Sequence, residues 1–486
     1  MEIELRRNQI ESIHGLKRSL SQKNRVVMVQ APTGFGKTVL ACAIVEGARA
    51  KGNRVIFVVP SISLVDQTVA SFRAQGISGI GVIQAAHELT DPDQPVQIAT
   101  VQSLKNRRIP HADIVIIDEA HIWYKFYETW MESWNKTPFV GLSATPWTKG
   151  LGKHYEDLII VTSTQELIND GYLSDFVVFA PTSPDLSKVR TKAGDYHEGD
   201  LSTAMNKKEI TADIVNTWKE KGKGRPTLCY GVDRAHAKHM QNEFILGGVK
   251  CGYIDAFTDR EEREDISEQL HRGELEVVCN VGCLTTGIDW DIRCIILARP
   301  TKSEILFTQI VGRGLRTAPG KDHCLILDHS DTHNRLGFVT DIAHKDLCDG
   351  KPNKAGERKE RDEPLPKKCS ACDFMKPAKV HICPNCGFAP QKQSTVKVKD
   401  GVLEELIRGK KKKPKKYTKE QKQEWYSMIK YIAQSRGYKS GWIAHTYKSK
   451  FDVWPKGLSD ISLEPSDEVA SYVTSCLIRN SKRKRA

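Results

Sequence analysis

The stretch Val26-Val27-Met28-Val29-Gln30-Ala31-Pro32-Thr33-Gly34-Phe35-Gly36-Lys37-Thr38 joins an apolar run to a glycine-rich turn, and an apolar helical pattern follows over residues 39–50. Strand, turn and helix in this order are typical of a phosphate-binding P-loop, because N–H groups at a helix start and the helix dipole attract anions. We expect Lys37 to reach the β- and γ-phosphates of a nucleotide and the Thr38 hydroxyl to bind Mg²⁺. The residues expected to hold the nucleotide are Thr33, Gly34, Phe35, Gly36, Lys37 and Thr38.

A second strand-like run, Ile114-Val115-Ile116-Ile117, is followed by Asp118-Glu119-Ala120-His121. Because ligands bind at the carboxyl ends of parallel strands, this acidic pair is predicted to lie beside the P-loop. Asp118 is expected to hold Mg²⁺, and Glu119 to orient and deprotonate the water that attacks the γ-phosphate. The sequence therefore predicts an ATP hydrolase with ATP and Mg²⁺ as its cofactors.

Apolar runs alternate with helical patterns along the first 345 residues, and most of these runs are continuous. Continuous apolar strands are typical of parallel sheets that helices cover on both faces. We expect an α/β protein with two successive parallel-sheet units. The predicted strands are 26–30, 55–60, 97–100, 113–117 and 139–142 in the first unit, and 227–230, 251–254, 277–280, 294–298 and 324–328 in the second.

The P-loop together with Asp118-Glu119-Ala120-His121 resembles the superfamily-2 helicases and translocases of the DEAH-box type. That resemblance implies two RecA-like lobes with ATP between them, and it adds His121 to the catalytic residues. Further motifs follow in the family's order: 5–9 (LRRNQ), 59–61 (VPS), 100–103 (TVQS), 143–146 (SATP), 280–289 (NVGCLTTGID) and 309–316 (QIVGRGLR).

The resemblance assigns a role to residues in each of these motifs. Gln9 is expected to read the adenine base, while Gly287 and Asp289 contribute to nucleotide binding. The residues implied to contact nucleic acid are Ser61, Thr100, Thr285 and Thr286, and those implied to couple hydrolysis to lobe movement are Ser143 and Thr145. Gln309, Arg313 and Arg316 are implied to be catalytic, the arginines as fingers on the γ-phosphate.

The position of the arginines in the chain has a mechanical consequence. Arg313 and Arg316 lie about 280 residues beyond Lys37, so they can meet the nucleotide only if two domains close on it. An arginine supplied in this way raises the hydrolysis rate by about 10³- to 10⁵-fold. Closure would then depend on the nucleotide state, and a strand gripped by both lobes would move as the cleft opens and closes.

Residues 280–289, 312–328 and 168–173, with the cysteine cluster described next, resemble the RadD-type repair ATPases and related phage helicases. This resemblance implies a role on DNA, single-stranded or branched, in repair, recombination or replication. It places the protein in the cytoplasm of a bacterial or phage-infected cell. Residues 436–442 and 451–455 resemble a C-terminal element of phage helicases.

Four of the 13 cysteines form the pattern Cys369-x2-Cys372-x10-Cys383-x2-Cys386. Two C-x-x-C turns can complete a closed tetrahedral site, so we expect structural Zn²⁺ on Cys369, Cys372, Cys383 and Cys386. His381 is a spare candidate ligand, and reduced thiols or a disulfide remain as alternatives. The ribbon itself could contact DNA, a protein partner or its own lobe.

The charge of the chain is unevenly distributed. Residues 391–486 hold 23 Lys and Arg against 10 Asp and Glu, whereas residues 1–390 are neutral. A basic tail of this kind binds nucleic acid or anionic membrane, and no apolar run reaches the ~18 residues that a membrane span needs. Tail aromatics could stack on bases, or they could form a small helical core with a solvated basic face. The aromatics concerned are Trp425, Tyr426, Tyr431, Tyr438, Trp442, Tyr447 and Trp454.

We therefore predict an ATP-dependent nucleic-acid helicase or translocase. One alternative is a nucleic-acid-stimulated ATPase switch that recruits partners without processive unwinding, and a repair or replication protein is a candidate partner through the ribbon or the tail. A third interpretation is the motor of a restriction system, for which the sequence has no recognisable nuclease cluster and a partner subunit would have to supply one. The expected domains are lobe 1 (1–178), lobe 2 (179–345), a linker (346–368), the zinc ribbon (369–390), a basic linker (391–416) and a basic helical unit (417–486).

Overall fold

The computed structural model describes residues 4–84, 87–181, 183–192, 194–284, 290–351, 365–389, 417–438 and 440–483. The chain separates into two compact units, Met1–Lys392 and Gln393–Ala486. Among the described residues, no helix combines the length and the apolar character that crossing a membrane requires.

In the described part of the first lobe, seven strands form one parallel sheet in the order β3-β4-β2-β5-β6-β1-β7. The strands are β1 (Val26–Gln30), β2 (Val55–Val59), β3 (Ile80–Ile83), β4 (Val96–Thr100), β5 (Ile114–Asp118), β6 (Phe139–Ser143) and β7 (Asp157–Ile159). The helices are α1 (Arg7–Ser21), α2 (Lys37–Arg49), α3 (Val65–Ala74), α4 (Val101–Lys105), α5 (Lys125–Ser133) and α6 (Thr164–Asn169). Strands β1 and β2 are buried along their whole length, as expected for a sheet covered on both faces.

The second lobe, as far as it is described, has a six-stranded parallel sheet in the order β12-β13-β11-β14-β15-β8. Its strands are β8 (Asp175–Phe179), β11 (Thr227–Tyr230), β12 (Cys251–Ile254), β13 (Val277–Asn280), β14 (Cys294–Leu297) and β15 (His323–Asp328), with a separate hairpin of β9 (Thr191–Lys192) and β10 (Asp195–Tyr196). Its helices are α7 (Glu198–Met205), α8 (Lys208–Lys221), α9 (Arg234–Leu246), α10 (Arg260–His271), α11 (Glu304–Gly314) and α12 (Thr332–Leu336). The expected α/β fold with two parallel-sheet lobes is confirmed.

The border between the lobes lies earlier than the expected position after residue 178. Strand β8 pairs with β15 and is the edge strand of the second sheet, from His323↔Asp175 to Leu327↔Phe179. Residue 178 therefore falls inside a strand of lobe 2, and the sheets divide the chain ahead of Asp175.

The two lobes share part of one hydrophobic core. Phe35 of the P-loop, Leu173 of the connection between the lobes, and Val311 and Leu315 at the end of α11 belong to a single buried cluster. Each of these side chains is at most 2% exposed. Helix α11 of lobe 2 is thereby packed close to the phosphate-binding loop of lobe 1.

The cysteine-rich segment packs on its own lobe. Strands β16 (Lys367–Lys368) and β17 (Met375–Lys376) pair antiparallel. The backbone of Phe374 pairs with Phe179 of β8, and the Ala180 amide donates to the Asp373 carbonyl at 3.0 Å. The ribbon thus extends from the edge of the second sheet. Of the contacts considered from the sequence, the contact with its own lobe is therefore present.

The described part of the second unit is a small helical fold with α13 (Lys419–Ser435), α14 (Ser440–Phe451) and α15 (Asp467–Arg483). Its core residues are Trp425, Ile429, Ile432, Ala433, Ile443, Tyr447, Val469 and Val473. Trp425 and Tyr447, 7% and 2% exposed, are core residues rather than surfaces for stacking. The expected helical C-terminal unit is confirmed.

Candidate active site at the cleft between the lobes

The P-loop has the backbone of an anion cradle. Gly34 and Gly36 have φ angles of 79° and 82°, in the left-handed region that favours glycine. A Cβ on Gly36 would lie 2.5 Å from Gln9 Nε2, and one on Gly34 would overlap the Leu173 side chain. Gly36 immediately precedes α2, so the loop delivers the first N–H groups of that helix to an incoming phosphate.

Two side chains from the start of the chain brace this loop. Gln9, only 1% exposed, donates from Nε2 to the carbonyls of Phe35 (2.9 Å) and Gly36 (3.2 Å). Arg6 donates from Nη1 to the Gly34 carbonyl at 2.8 Å and lies 4.0 Å over the ring of Tyr172. The adenine contact expected of Gln9 stays a prediction, because in this structure its amide binds the loop.

Lys37 forms an ion cluster with the two predicted carboxylates. Its Nζ lies 2.9 Å from Asp118 Oδ1 and also contacts Glu119 Oε1. Burial alone would lower the pKa of Lys37, but the two carboxylates outweigh it and raise that pKa. Burial raises the pKa of Asp118 against the opposing charge of Lys37. For Glu119 burial also opposes ionisation, but Lys37 and His121 prevail and hold its pKa well below the usual value.

The backbone at Glu119 is strained. Its φ is 49°, in the left-handed region that a residue with a side chain rarely adopts. Such a conformation costs about 1–3 kcal/mol and persists where the surroundings impose it, as at active sites. Here the Ala120 amide donates to the Leu142 carbonyl of β6 at 3.0 Å, which fixes the turn after β5.

His121 connects this carboxylate to the second lobe. Its Nδ1 lies 2.9 Å from Ser143 Oγ and 3.3 Å from Glu119 Oε2, and its Nε2 lies 3.2 Å from Gln309 Nε2. The Gln309 amide can only donate in that contact, so the network assigns the imidazole proton to Nδ1. One ring therefore links Glu119 in lobe 1 to Gln309 on α11.

Ser143 and Thr145 lie at the carboxyl end of β6, next to this ring. The Thr145 amide donates to Ser143 Oγ at 3.0 Å, and both side chains are completely buried. Their proximity to His121 agrees with the predicted coupling role, which nothing in this geometry tests directly.

Helix α11 reaches the P-loop at Gly312. A Cβ on Gly312 would lie 2.6 Å from Thr33 Oγ1, so the helix backbone lies directly against the loop. Arg316 follows Arg313 by three residues. Its backbone pairs with that of Leu173, the residue whose side chain packs against Gly34. The backbone on both sides of Arg313, at Gly312 and at Arg316, therefore lies close to the P-loop and to the connection between the lobes. The finger role of Arg313 and Arg316 stays a prediction.

The structure gives positions for two of the residues predicted to contact nucleic acid, and it does not test their role. Ser61 is exposed at the carboxyl end of β2, with its Oγ 2.9 Å from Ser63 Oγ. Thr100 is 1% exposed and caps α4 by accepting from the Ser103 amide at 3.2 Å, so its hydroxyl has a structural partner. Thr285 and Thr286, the predicted nucleic-acid contacts of lobe 2, lie outside the described residues, as do Gly287 and Asp289 of the predicted nucleotide site.

No sequence signal assigned a role to Arg6, Tyr172 or Leu173. The structure brings all three to the P-loop, and Leu173 comes from the connection between the lobes. Arg6 could have been suspected, because it lies in the same short motif as Gln9. The predicted phosphate-binding loop is thus in contact with the segment that connects the two lobes.

The four predicted zinc ligands converge. The Sγ atoms of Cys369, Cys372, Cys383 and Cys386 all lie within 4.8 Å of one another. The Cys369–Cys386 and Cys372–Cys383 separations are 3.8 and 3.7 Å. A tetrahedron with Zn–S bonds of about 2.3 Å has S···S edges of about 3.8 Å. The set fits a closed structural zinc site without His381, and the Ala371 amide donates to Cys369 Sγ at 3.4 Å as a supporting contact.

We expect the purified protein to carry about one zinc ion per chain and to release it when its thiols are modified. Cys372→Ser should lower the zinc content measured by mass spectrometry to well below half. Cys348→Ser is the matched control, because Cys348 is an exposed cysteine outside the cluster. A full-length protein that purifies and folds without any metal would contradict the assignment.

Family models cover most of both lobes. The model described as "Type III restriction enzyme, res subunit" matches residues 2–148, and the model described as "Helicase conserved C-terminal domain" matches residues 206–318. The first match contains the P-loop and Asp118–His121, and the second contains α11.

Two relatives and two solved structures are similar over most of the two lobes. A 51.5 kDa protein of a Lactococcus phage (isolate 7-9) is 30% identical over 74% of this chain and 77% of its own. A Saccharomyces cerevisiae protein, provisionally named the ATP-dependent helicase IRC3, is 31% identical, and the match spans 67% of this chain but only 51% of that protein.

The solved structures share the fold at low sequence identity. A fragment provisionally assigned as an HsdR subunit of a type I restriction enzyme from Vibrio vulnificus YJ016 has a TM-score of 0.56 at 20% identity, covering 72% of this chain and 67% of the fragment. The ATP-dependent Type ISP restriction-modification enzyme LlaBIII, solved bound to DNA, has a TM-score of 0.50 at 18% identity, covering 67% of this chain and 28% of that enzyme.

Proposed function

Because this chain belongs to the superfamily-2 helicases, we propose that it is an ATP-dependent DNA helicase or translocase of the DEAH type, which hydrolyses ATP between its two lobes. The observation that carries the proposal is the contact of 3.2 Å between Gln309 and His121. It joins a residue of lobe 2 to the ring that holds Glu119, so hydrolysis and lobe position share one hydrogen-bonded chain. Movement of a gripped strand would follow from opening and closing this contact.

Different residues of lobe 1 have different roles in binding and hydrolysing the triphosphate. The N–H groups at the start of α2 and the Lys37 ammonium bind the phosphates. Mg²⁺ on Thr38 and Asp118, both oxygen donors, would neutralise charge on the bound phosphates. An incoming triphosphate competes for Lys37, and this frees Glu119 from its ion pair to orient and deprotonate the attacking water.

Lobe 2 completes the site. Gly312 brings α11 against the P-loop, and Arg313 and Arg316 stabilise the charge that develops on the γ-phosphate. A movement of lobe 2 would change the contact between Gln309 and His121, and through His121 the surroundings of Glu119. Catalysis in this scheme requires closure, because lobe 1 alone supplies no arginine finger.

DNA is proposed as the substrate, in repair, recombination or replication within a bacterial or phage-infected cell. The phage relative supports this setting. LlaBIII was solved bound to DNA, which is a property of that enzyme and the reason to assay DNA first here. A RadD-type role, and a repair or replication partner bound through the ribbon or the tail, remain parts of the same proposal.

The test is one set of ATPase rates with single-stranded, duplex and branched DNA and with RNA, in a single buffer, together with strand displacement on forked and branched duplexes. We expect DNA to stimulate ATPase, and Glu119→Gln to bind ATP without turnover. If no nucleic acid stimulates the ATPase, the proposal is wrong. Stimulation by RNA alone would overturn the choice of DNA, and brisk ATPase without displacement or translocation would favour the partner-recruiting switch.

A further inference from the structure

Among the described residues of the second unit, the side chain of Trp454 is the most exposed large aromatic ring, ahead of Tyr431 at 40%. Trp454, in the loop that follows α14, is 45% exposed, whereas Trp425 in the same unit is 7% exposed. Burying an indole is among the largest apolar gains that a small fold can make. Trp454 is not part of the core that the three helices form. Helix packing therefore gives no reason for this tryptophan at this position.

One lysine and one histidine lie against this exposed ring. Lys448 Nζ lies 4.4 Å over the centroid of Trp454, and the ring of His445 lies 5.2 Å away at 72°. His445 and Lys448 are three residues apart on α14 and therefore share a face of it. Lys456 follows two residues after Trp454 and is exposed. We call His445, Lys448, Trp454 and Lys456 the Trp454 surface.

The neighbouring Lys450 has a different role. Its Nζ lies 4.1 Å from the centroid of Trp425, 5.0 Å from that of Tyr472 and 5.6 Å from that of Tyr417. Lys450 is thus engaged by aromatic rings of its own unit. Lys448 lies over an exposed ring instead, and Lys456 is exposed close by in the sequence, so the surface combines open aromatic area with positive charge.

The loop that carries Trp454 is held in place. Gln423 of α13 accepts from the Ser459 amide at 2.7 Å and donates to the Ser459 carbonyl at 2.8 Å. Asp452, at the start of the loop, has a φ of 57°, and Pro455 restricts the backbone after Trp454. Less conformational entropy is lost when a ligand binds a surface that is already ordered.

We propose that the Trp454 surface is a second binding site for single-stranded nucleic acid, separate from the two lobes, in which a base stacks on Trp454 and phosphates lie beside Lys448 and Lys456. The inference rests on the proposed function for the identity of the strand. Aromatic stacking with flanking cations is how proteins bind single strands without regard to sequence. An acidic peptide would match the lysines but not the ring. Lys448 covers one face of the indole, which leaves the other face for a base to stack on.

The first experiment compares full-length variants in the absence of nucleotide, with fluorescence anisotropy on oligo-dT and on an abasic strand of equal length. Trp454→Ala should raise the Kd for oligo-dT about 5- to 150-fold, as expected for the loss of one stacked base. The Kd for the abasic strand should stay within about 2-fold, since no base is present to stack. The matched control is Tyr431→Ala on α13, because Tyr431 is 40% exposed and should leave both Kd values unchanged.

A charge variant separates phosphate contacts from stacking. Lys448→Gln should weaken binding to oligo-dT and to the abasic strand alike. It should also lower the slope of log Kd against log salt by about 0.7, the value for one phosphate contact on a single strand. If Lys448→Gln raises the Kd for oligo-dT only, the assignment of phosphates to Lys448 and of the base to Trp454 is wrong.

Photocrosslinking gives a direct readout. A strand that carries 5-iodouracil should crosslink to the tryptic peptide 451–456, which contains Trp454. If Trp454→Ala lowers the melting temperature, Trp454→Phe keeps an aromatic ring and should restore both folding and most of the affinity for oligo-dT.

Two outcomes would overturn the inference. One is a Trp454→Ala protein whose Kd for oligo-dT equals that of Tyr431→Ala, and the other is crosslinking confined to the two lobes, either of which would leave the surface to a protein partner. If the proposed function itself were wrong, the result would be different, because no nucleic-acid strand would then stimulate the ATPase of the wild-type protein. A stimulated ATPase with an unaffected Trp454→Ala variant refutes this inference alone.

Discussion

Arg316→Ala is expected to lower kcat for ATP hydrolysis about 10³- to 10⁵-fold, the range found for an arginine that stabilises charge on a transferring phosphoryl group. ATP affinity should change only a few-fold, because Lys37 and the P-loop stay intact. Single-turnover hydrolysis and equilibrium binding of a fluorescent ATP analogue measure the two effects separately. Arg313→Ala should show the same pattern if both arginines reach the γ-phosphate.

The structure gives a reason why this variant should fold. The backbone of Arg316 is held by its pairing with Leu173, and its carbonyl accepts from Lys321 Nζ at 2.6 Å. Neither contact uses the guanidinium, so replacing the side chain leaves the anchoring of the segment in place. A melting temperature equal to that of the wild type would assign the loss of rate to the missing charge rather than to a displaced helix.

Arg272→Ala is the control for the arginine experiment. Arg272 directly follows the surface helix α10 of the same lobe, is about half exposed and pairs with Glu268 and Glu274. Exposed ion pairs contribute little, so this variant should keep wild-type turnover. If Arg313→Ala and Arg316→Ala also keep it, the scheme in which two lobes close on ATP is wrong.

The local elements of the site could be predicted from the sequence because each depends on neighbouring residues. The strand, the glycine turn and the helix around Lys37 are set by apolar run length and by the two glycines with positive φ. The same holds for Asp118 at the end of β5 and for the two C-x-x-C turns. Strands β1, β11, β12 and β13 begin and end at the predicted residues.

Three strands of the two main sheets, β3, β7 and β8, escaped prediction for identifiable reasons, as did the two-residue strands β9, β10, β16 and β17. Strand β3 contains Gly81, where a Cβ would lie 2.6 Å from Gln97 Nε2, and glycine weakens a strand signal. Strand β7 is three residues long. Strand β8 is an edge strand that lies beyond the lobe connection and pairs with β15, which is almost 150 residues away in the sequence.

The individual contacts between the two lobes could not be predicted. The pairs Gln309–His121, Gly312–Thr33 and Leu173–Gly34 join segments whose proximity depends on how two lobes pack. Motif order indicated that such contacts exist, but not which atoms make them. In the C-terminal unit the sequence likewise left open which aromatics are buried, since composition alone does not separate Trp425 from Trp454.

Lys37→Ala should lower ATP turnover by at least about 10²- to 10³-fold, because it removes the main cation of the phosphate cradle. A second effect should appear without ATP. Lys37 compensates Asp118 and Glu119, whose side chains are only 20% and 15% exposed. Breaking a fully buried pair costs about 3–5 kcal/mol, so these partly exposed groups should cost about 2 kcal/mol in unfolding free energy.

The pH dependence identifies the cause of that destabilisation. In the wild type the pKa of Glu119 is held low in the folded state, so its contribution is present at neutral pH and is lost as the pH falls through that low pKa. Without Lys37 the two carboxylates repel each other, and protonating one of them relieves the strain. The difference in melting temperature between wild type and Lys37→Ala should therefore be largest near pH 7 and shrink toward pH 4.5.

A double variant separates the two roles of Lys37. Adding Asp118→Asn to Lys37→Ala removes one of the uncompensated charges, so it should recover part of the stability but none of the turnover. Lys51→Ala, an exposed lysine just beyond α2, should change neither quantity. A Lys37→Ala protein with full ATPase activity would refute the assignment of the P-loop. A variant that loses activity without the pH-dependent loss of stability would show that the Lys37–Asp118–Glu119 cluster is not maintained in the nucleotide-free protein.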